Sequence, residues 1–402
     1  MSIHLGMVLK ILRDEGPQSR AELARRCGLS ATTLTHLTAQ LLKDGCIAET
    51  DAPVLPSGSP MPGRPPVSVR LVPSAHYVAG VYIGAEAVQV AICDLTAQLV
   101  TSAAFDHAAN DNPLKLTHQT ADVLRNLVQA KGISLGSLVG IGMGVPGPVD
   151  QVRRRNLLSI NTGWRDVAFA DAMEAELNIP TVVEHNVTAM ALAEAHYGIG
   201  QGCPAVLYVY LGTGLVVDGM PFRPGGHGAV ELGHIQIDPQ GALCACGNRG
   251  CLETFVSERV LRERGAGSAE PLLAALARNP TLHDEVAGHF TTALANAVNL
   301  LTPDLIVLGG HFAEAPEAFY ARLRCDLPPR VLPHMRDVLR IERGGFGNNA
   351  GAVDHLFYSE YPDECTPDGP GPQSSFLCRG DRWLVSPHGH GGGGAARPGG
   401  CA

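Results

Sequence analysis

The chain has 402 residues, 45% of them hydrophobic and 17% charged, with a formal net charge of −9. That is long enough for two or three domains with real cores, and the balance is ordinary for a soluble globular protein. No uninterrupted apolar run reaches membrane-spanning length, so membrane insertion is not expected. The first residues, MSIHLGMVLKILRDEG, are broken by Lys10 and Arg13 and do not read as a secretory signal. Eleven irregularly spaced cysteines suit a reducing cytoplasm better than a disulfide scaffold. Residues 1–75 hold eight Lys/Arg against six Asp/Glu, so the acidic excess lies wholly in the remainder. A mildly basic head on an acidic body is compatible with nucleic-acid binding by the head alone.

Leu5, Val8, Leu9 and Leu12 recur at helical spacing and predict a first helix that stops at Gly16-Pro17. Ser19 with Glu22 forms a capping-box pair that opens a second helix over Arg20 to Cys27. Gly28 turns the chain, and Ser30 caps a third helix whose apolar face is Leu34, Leu37, Leu41 and Leu42. Two short helices joined by a Gly-containing turn describe a helix-turn-helix, with a three-helix protein-interaction module as the alternative. The outer face offers Ser30, Thr32, Thr33, Thr35, His36 and Gln40, with Arg20 at the start of the second helix, as candidate DNA contacts. The stretch SRAELARRCGLSATTLTHLTAQLLKDGCIAE resembles the winged helix-turn-helix of the ROK (repressor, open reading frame, kinase) repressors. In those proteins a serine or threonine followed by arginine stands where Thr35-His36 stands here.

After Glu49 the sequence TDAPVLPSGSPMPGRPPVSV is rich in Pro, Gly and Ser and reads as a linker or wing. Within it, Gly63-Arg64-Pro65 can push the Arg64 guanidinium into an A·T-rich minor groove, where the potential is most negative. A plain Pro-rich linker is the alternative.

From Tyr77 strands and helices alternate, an α/β order. VAGVYIGAEAVQVAICDL reads as a hairpin, LVGIGMGVPGPVD as a buried strand entering a glycine loop, and TVVEHNV as a strand followed by a helix TAMALAEAHYG. AVLYVYLGTGLVVDG is strand-turn-strand, PDLIVLGG a late strand, and Asn112–Lys131 and Asp284–Leu301 are helical. No sequence repeat is obvious. The densest chemistry lies in Glu231–Glu253, ELGHIQIDPQGALCACGNRGCLE. There His234, Cys244, Cys246 and Cys251 are spaced for a tetrahedral Zn²⁺, with Pro239, Gly241, Gly247 and Gly250 supplying the reversals. Four unrelated buried residues are the alternative. Glu231 and Glu253 flank the set, so a structural zinc would fix where both carboxylates point.

GIGMGVPGPVD, NTGW, VEHNVTAMALAE, LGTG, the zinc block and LIVLGG stand in the order of the ROK sugar-kinase/repressor domain, over about Tyr77 to Phe357. The resemblance implies a two-lobed, actin-like and ribonuclease-H-like fold with a sugar in the cleft. Carried over residue by residue, the sugar contacts are Asn161, His185, Asn186, Glu231, His234 and Glu253. Paired carboxylates and amides suit neighbouring hydroxyls. Which His234 nitrogen faces zinc and which faces sugar is left open by the sequence.

The same resemblance argues against catalysis. The family's Asn-Asp pair falls on His185-Asn186, so an amide stands where kinases carry the base. The first phosphate loop is Tyr82-Ile83-Gly84-Ala85-Glu86, which lacks its metal-holding acid and presents a glutamate. Gly212-Thr213-Gly214 is as much a tight hairpin turn as a phosphate cradle, because the usual glycine-rich continuation is missing.

The expected organisation is a winged helix-turn-helix at 1–50, a wing or linker at 51–75, a two-lobed sugar-binding domain at 76–358 with its zinc loop at 231–253, and a Pro/Gly-rich disordered tail at 359–402. The expected function is a sugar-responsive transcriptional regulator, a repressor of carbohydrate genes, that is not an enzyme. Its expected partners are operator DNA, a sugar or sugar-phosphate effector and a second copy or copies, as a homodimer or homotetramer. A hexose or N-acetylhexosamine kinase with a DNA-binding head is the alternative, and a phosphotransferase-system protein is a further possible partner.

Overall fold

The computed structural model describes residues 2–50, 67–84, 86–223, 230–264, 274–345, 376–379 and 382–385. The chain divides into two compact units, Met1–Arg70 with Glu360–Ala402, and Leu71–Ser359. No described helix is long and apolar enough to cross a membrane.

The first unit opens with α1 (Ser2–Glu15), the short strand β1 (Gln18–Ser19), α2 (Arg20–Cys27) and α3 (Ala31–Lys43). Ser19 Oγ accepts the Glu22 amide at 3.2 Å, one half of the expected capping box. The other half is not made, because the Glu22 carboxylate turns to Arg25 instead. Gly28 ends α2 in the left-handed region at φ 65°, a conformation open to glycine at little cost. Leu5, Val8 and Leu12 of α1, Leu23 of α2, and Leu34, Leu37 and Leu41 of α3 form the buried centre. Strands β2 (Ile47–Thr50) and β3 (Ser68–Leu71) complete a three-stranded sheet in the order β1-β3-β2. The stretch read as wing or linker therefore contains a paired strand, in which Ser68, Val69 and Leu71 are buried and Arg70 is exposed.

The second unit holds two five-stranded sheets. The first is built from β4 (Tyr77–Ile83), β5 (Ala87–Asp94), β6 (Leu99–Asp106), β7 (Leu138–Val145) and, after a small sheet of β8 (Val149–Asp150), β9 (Arg155–Leu158) and β10 (Arg165–Val167), β11 (Thr181–His185). Its order is β11-β7-β4-β5-β6, with β4, β5 and β6 antiparallel and β4, β7 and β11 parallel. Helices α4 (Pro113–Ala130) and α5 (Phe169–Leu177) cover it. The second sheet is β14-β13-β12-β15-β16, from β12 (Ala205–Val209), β13 (Thr213–Val217), β14 (Met220–Pro221), β15 (Leu305–Leu308) and β16 (Arg340–Arg343). Its first three strands are antiparallel and its last two run parallel to β12. The two sheets thus repeat one topology, a duplication hidden in the sequence because register and burial repeat while residue identities do not.

Between them runs α6 (Asn186–Tyr197), buried on all sides from Asn186 to Glu194. Its buried stretch is mainly apolar but includes Asn186, Thr188 and Glu194. Gly212 and Gly214 let the β12–β13 hairpin close on it: a Cβ at Gly214 would meet the Ala191 Cβ and Val187 oxygen at 2.6 Å. Helices α7 (Glu253–Val256), α8 (Glu258–Arg264), α9 (Ala274–Arg278), α10 (Pro280–Leu301) and α11 (Glu317–Asp326) complete the second lobe. The α10 helix starts four residues before the expected Asp284, because Asn279 caps it and Pro280 occupies the first turn.

In the segment read as a disordered tail, Phe376–Arg379 (β17) and Arg382–Val385 (β18) pair antiparallel. FLCR and RWLV are separated by Gly-Asp, a hairpin signal missed among the surrounding glycines.

Candidate functional site

In the first unit, Thr32, Thr33, Thr35 and His36 are exposed on α3. Ser30 Oγ is spent on the Thr33 amide (3.1 Å) and pairs with its hydroxyl (2.8 Å), and the Thr35 hydroxyl donates to the Ala31 carbonyl at 2.8 Å. Gln40 is half-buried. Arg20 points to Glu49 at 2.7 Å, fastening α2 to β2. Arg64 lies outside the described residues. Thr32 and His36 are therefore the least committed groups on the outer face, and Arg25, missed in the sequence, presents on α2 a side chain 73% exposed and paired with Glu22.

In the second unit, His234, Cys244, Cys246 and Cys251 converge with all ligand atoms within 4.8 Å of one another, a cluster able to hold a metal ion. Cys246 Sγ and Cys251 Sγ are 3.7 Å apart, and Cys244 Sγ lies 3.7 Å from His234 Nδ1. Ligands at about 2.0–2.3 Å from a tetrahedral ion have edges of about 3.5–3.8 Å, so both of these distances already match a tetrahedral edge. The loop is shaped by its own backbone: the Cys244 amide bonds Asn248 O (2.7 Å) and the Gly247 amide bonds Cys244 O (2.9 Å). At Gly250, with φ +61°, a Cβ would lie 1.6 Å from Asp238 O. Burial, and then the neighbouring Cys246 and Cys244 thiols, push Cys251 up to about 12. A divalent cation is the group that reverses such a shift.

The Nδ1 of His234 faces the thiols, and it also lies 3.7 Å from Glu253 Oε2. Glu253 opens α7, and its other oxygen accepts from Asn161 Nδ2 at 3.4 Å across the cleft. Asn161 comes from the turn between β9 and β10 of the first lobe. His185, the last residue of β11, places Nε2 3.9 Å from Glu231 Oε1. Burial pulls the His185 imidazole down to about 4, so it is neutral near pH 7. Burial, and then Glu253, push Glu231 up to about 7. Asn186 begins α6 and donates its amide to Ile83 O at 3.1 Å. The residues expected at the sugar site are thus joined by short contacts, Asn161 to Glu253, Glu253 to His234 and His185 to Glu231, with Asn186 next to His185 in the chain; Asn161, His185 and Asn186 come from the first lobe and Glu231, His234 and Glu253 from the second.

Tyr82 packs with Tyr210 against Val187, Met190 and Tyr208, and burial raises the pKa of all three phenols. Gly212, Thr213 and Gly214 form a hairpin end: Tyr210 N bonds Gly212 O at 3.0 Å, and Thr213 Oγ1 accepts the Leu232 amide at 3.2 Å. Glu86 is exposed.

Sequence reasoning missed Glu184 and Arg223. Glu184 is buried beside His185 and meets Arg223 at 2.5 Å. Their separation of 39 positions in the chain carries no sign of the pairing.

The family model described as "ROK family" matches residues 78–356, and a winged helix-turn-helix DNA-binding model matches residues 1–48. The xylose repressor of Bacillus subtilis is 25% identical over 360 residues, covering 86% of this chain and 92% of that protein. A glucokinase of Halalkalibacterium halodurans is 28% identical over 309 residues, covering 70% of this chain and 94% of the kinase. Among solved structures, a ROK family transcriptional regulator described as a homologue of the Escherichia coli protein MLC superposes with a TM-score of 0.74 at 24% identity, covering 88% of this chain and 94% of that one.

Proposed function

Because the chain belongs to the ROK family and carries an N-terminal winged helix-turn-helix, we propose that it is a sugar-responsive transcriptional repressor and not a kinase. The carrying observation is the set of short contacts that joins Asn161, Glu253 and His234, and His185 with Glu231, beside an amide, Asn186, at the position where the family resemblance puts the base for phosphoryl transfer. An amide at that position has no useful basicity, and a positioned base is worth about 10²–10⁴-fold in rate. The tyrosines at 82 and 210 and the hairpin glycines, which serve packing, support the same reading. Similarity along 86% of this chain to a xylose repressor, against 70% for a glucokinase, adds the head to the comparison.

In this reading the exposed face of α3 enters the major groove, with Thr32, Thr33, Thr35 and His36 near base edges and Ser30, Gln40 and Arg20 supporting it. Arg64 adds a minor-groove contact. Paired heads in a homodimer or homotetramer match two half-sites. The metal ion is Zn²⁺, held by His234, Cys244, Cys246 and Cys251, and its role is structural: it keeps Glu231, Glu253 and the His234 ring aimed at the sugar. Asn161, His185 and Asn186 complete the sugar contacts from the facing lobe. Sugar that prefers one lobe arrangement shifts the DNA-binding state by its difference in affinity for the two.

The test is operator binding at several salt concentrations, followed by titration with sugars and sugar phosphates. Salt-sensitive, sequence-selective binding that one sugar relieves supports the reading. Robust ADP release with any hexose or N-acetylhexosamine supports the kinase alternative instead. Intact DNA binding with no heat from any sugar points to a protein partner, such as a phosphotransferase component, as the effector.

A further inference from the structure

The buried carboxylate of Glu184 gathers the pieces of the cleft. Its Oε1 accepts the His185 amide at 2.8 Å, where β11 turns into α6. Its Oε2 accepts from Gln151 Nε2 at 3.2 Å and from Arg223 Nη2 at 2.5 Å. Gln151 follows β8, in the small sheet whose next turn carries Asn161, and it also donates to Val183 O at 3.2 Å. Arg223 follows β14, the edge strand of the second-lobe sheet, eight residues before Glu231. The edge strand of one lobe is therefore tied to the edge strand of the other through a single carboxylate. The side chain of Glu184 is 6% exposed and that of Arg223 26% exposed, so the pair is poorly screened and neither charge is easily left alone.

We infer that the Glu184–Arg223 ion pair is a latch across the cleft: Glu184 and Arg223 are positioning residues that hold the lobes at the separation at which His185 and Asn161 on one side face Glu231 and Glu253 on the other. The inference rests on the reading of that cleft as a sugar site. Neither residue needs to touch the ligand. The 3.9 Å from His185 to Glu231 and the 3.4 Å from Asn161 to Glu253 are the two spans that the latch sets. A sugar bridging those spans binds the latched lobes better than the unlatched ones, so affinity for sugar and integrity of the pair are linked.

The experiment is a double-mutant cycle on the full-length protein with Arg223→Met, Glu184→Gln and both together, read by sugar calorimetry and by hydrogen exchange without sugar. Each single variant is expected to weaken sugar binding at least about tenfold, the double variant no more than the worse single, and Arg223→Lys to recover part of the loss. The weakening is expected in the dissociation rate, with sugar-free operator binding unchanged. Exchange is expected to rise together in β11 and around β14 in both single variants. Additive losses, or unchanged affinity, overturn the latch. If the unsubstituted protein binds no sugar, the sugar reading falls by itself and the exchange data judge the latch: faster exchange confined to the substituted strand overturns it, and coupled exchange in both strands upholds it.

Discussion

His234 Nδ1 lies 3.7 Å from Cys244 Sγ, on the metal side of the ring. One imidazole can thus serve both halves of the site, with Nδ1 as metal ligand and Nε2 left for a sugar hydroxyl. In the proposed reading this gives Nδ1 to the metal and Nε2 to the sugar, which would make sugar recognition depend on metal occupancy.

Loss of the metal is therefore expected to act on recognition as well as on folding. Cys246→Ser and Cys251→Ser should purify with substoichiometric zinc, unfold at lower temperature and bind sugar at least about tenfold more weakly. Metal analysis alongside calorimetry checks this. Full metal content with full sugar response in Cys251→Ser would show that the cluster does not hold the glutamates.

Gly250→Ala should disrupt the same loop by a different route. Its Cβ would fall on Asp238 O, and its φ of +61° is one that an alanine resists. A stability loss of about 2 kcal/mol or more is expected, with zinc binding weakened in parallel, read by denaturant unfolding with and without added metal.

Much of this site was legible because its signal is local. Four soft ligands within 18 residues announce a metal loop, and Ser19, Gly28 and Ser30 punctuate the head as caps and turns do anywhere. What the sequence hid depends on distance. The duplicated sheet topology leaves no repeated residues, and Glu184 and Arg223 look like two ordinary charges until the lobes bring them together. The β17–β18 pair was hidden by composition, since glycine and proline on both sides outweighed two short apolar runs. The glycines of Gly212-Thr213-Gly214 were ambiguous for a different reason: a phosphate cradle and a close helix contact need the same missing side chain, and only the contact with Val187 and Ala191 separates them.

Restoring the acid alone should not restore a kinase. Asn186→Asp is expected to give no ADP release above background with common hexoses, because Tyr82 stands where the family resemblance puts a metal-holding acid and is packed, like Tyr210, against a buried apolar cluster. Turnover by this single variant would place the whole loss of catalysis at residue 186.

The fold should lose stability in mild acid through two buried imidazoles. Burial holds both His185 and His311 at about 4, below the usual value of 6.5. Above pH 6.5 neither state binds the extra protons. Between pH 6.5 and 4 the unfolded chain takes them up and the folded chain does not, so stability falls as pH falls and levels off below about 4. Proton uptake on unfolding near pH 5 should drop by about one in His311→Leu, measured by calorimetry in buffers of different ionisation enthalpy.

On the head, His36→Ala and Thr32→Ala should relax discrimination between operator and competitor DNA by about 1–3 kcal/mol each, with the salt dependence unchanged. Arg25→Ala should instead weaken binding to every sequence and reduce the salt slope by about one. Fluorescence anisotropy at several ionic strengths separates the two behaviours.

The most direct test of the whole account is one titration: labelled operator DNA bound to the zinc-loaded protein, with sugar added and ATP and Mg²⁺ present. The account predicts saturable, sugar-specific release of the DNA with no sugar phosphate formed, and a right-shifted release curve for Glu231→Gln. Phosphorylated sugar appearing at turnover rates, or operator binding indifferent to every sugar and unchanged in Glu231→Gln, would contradict it.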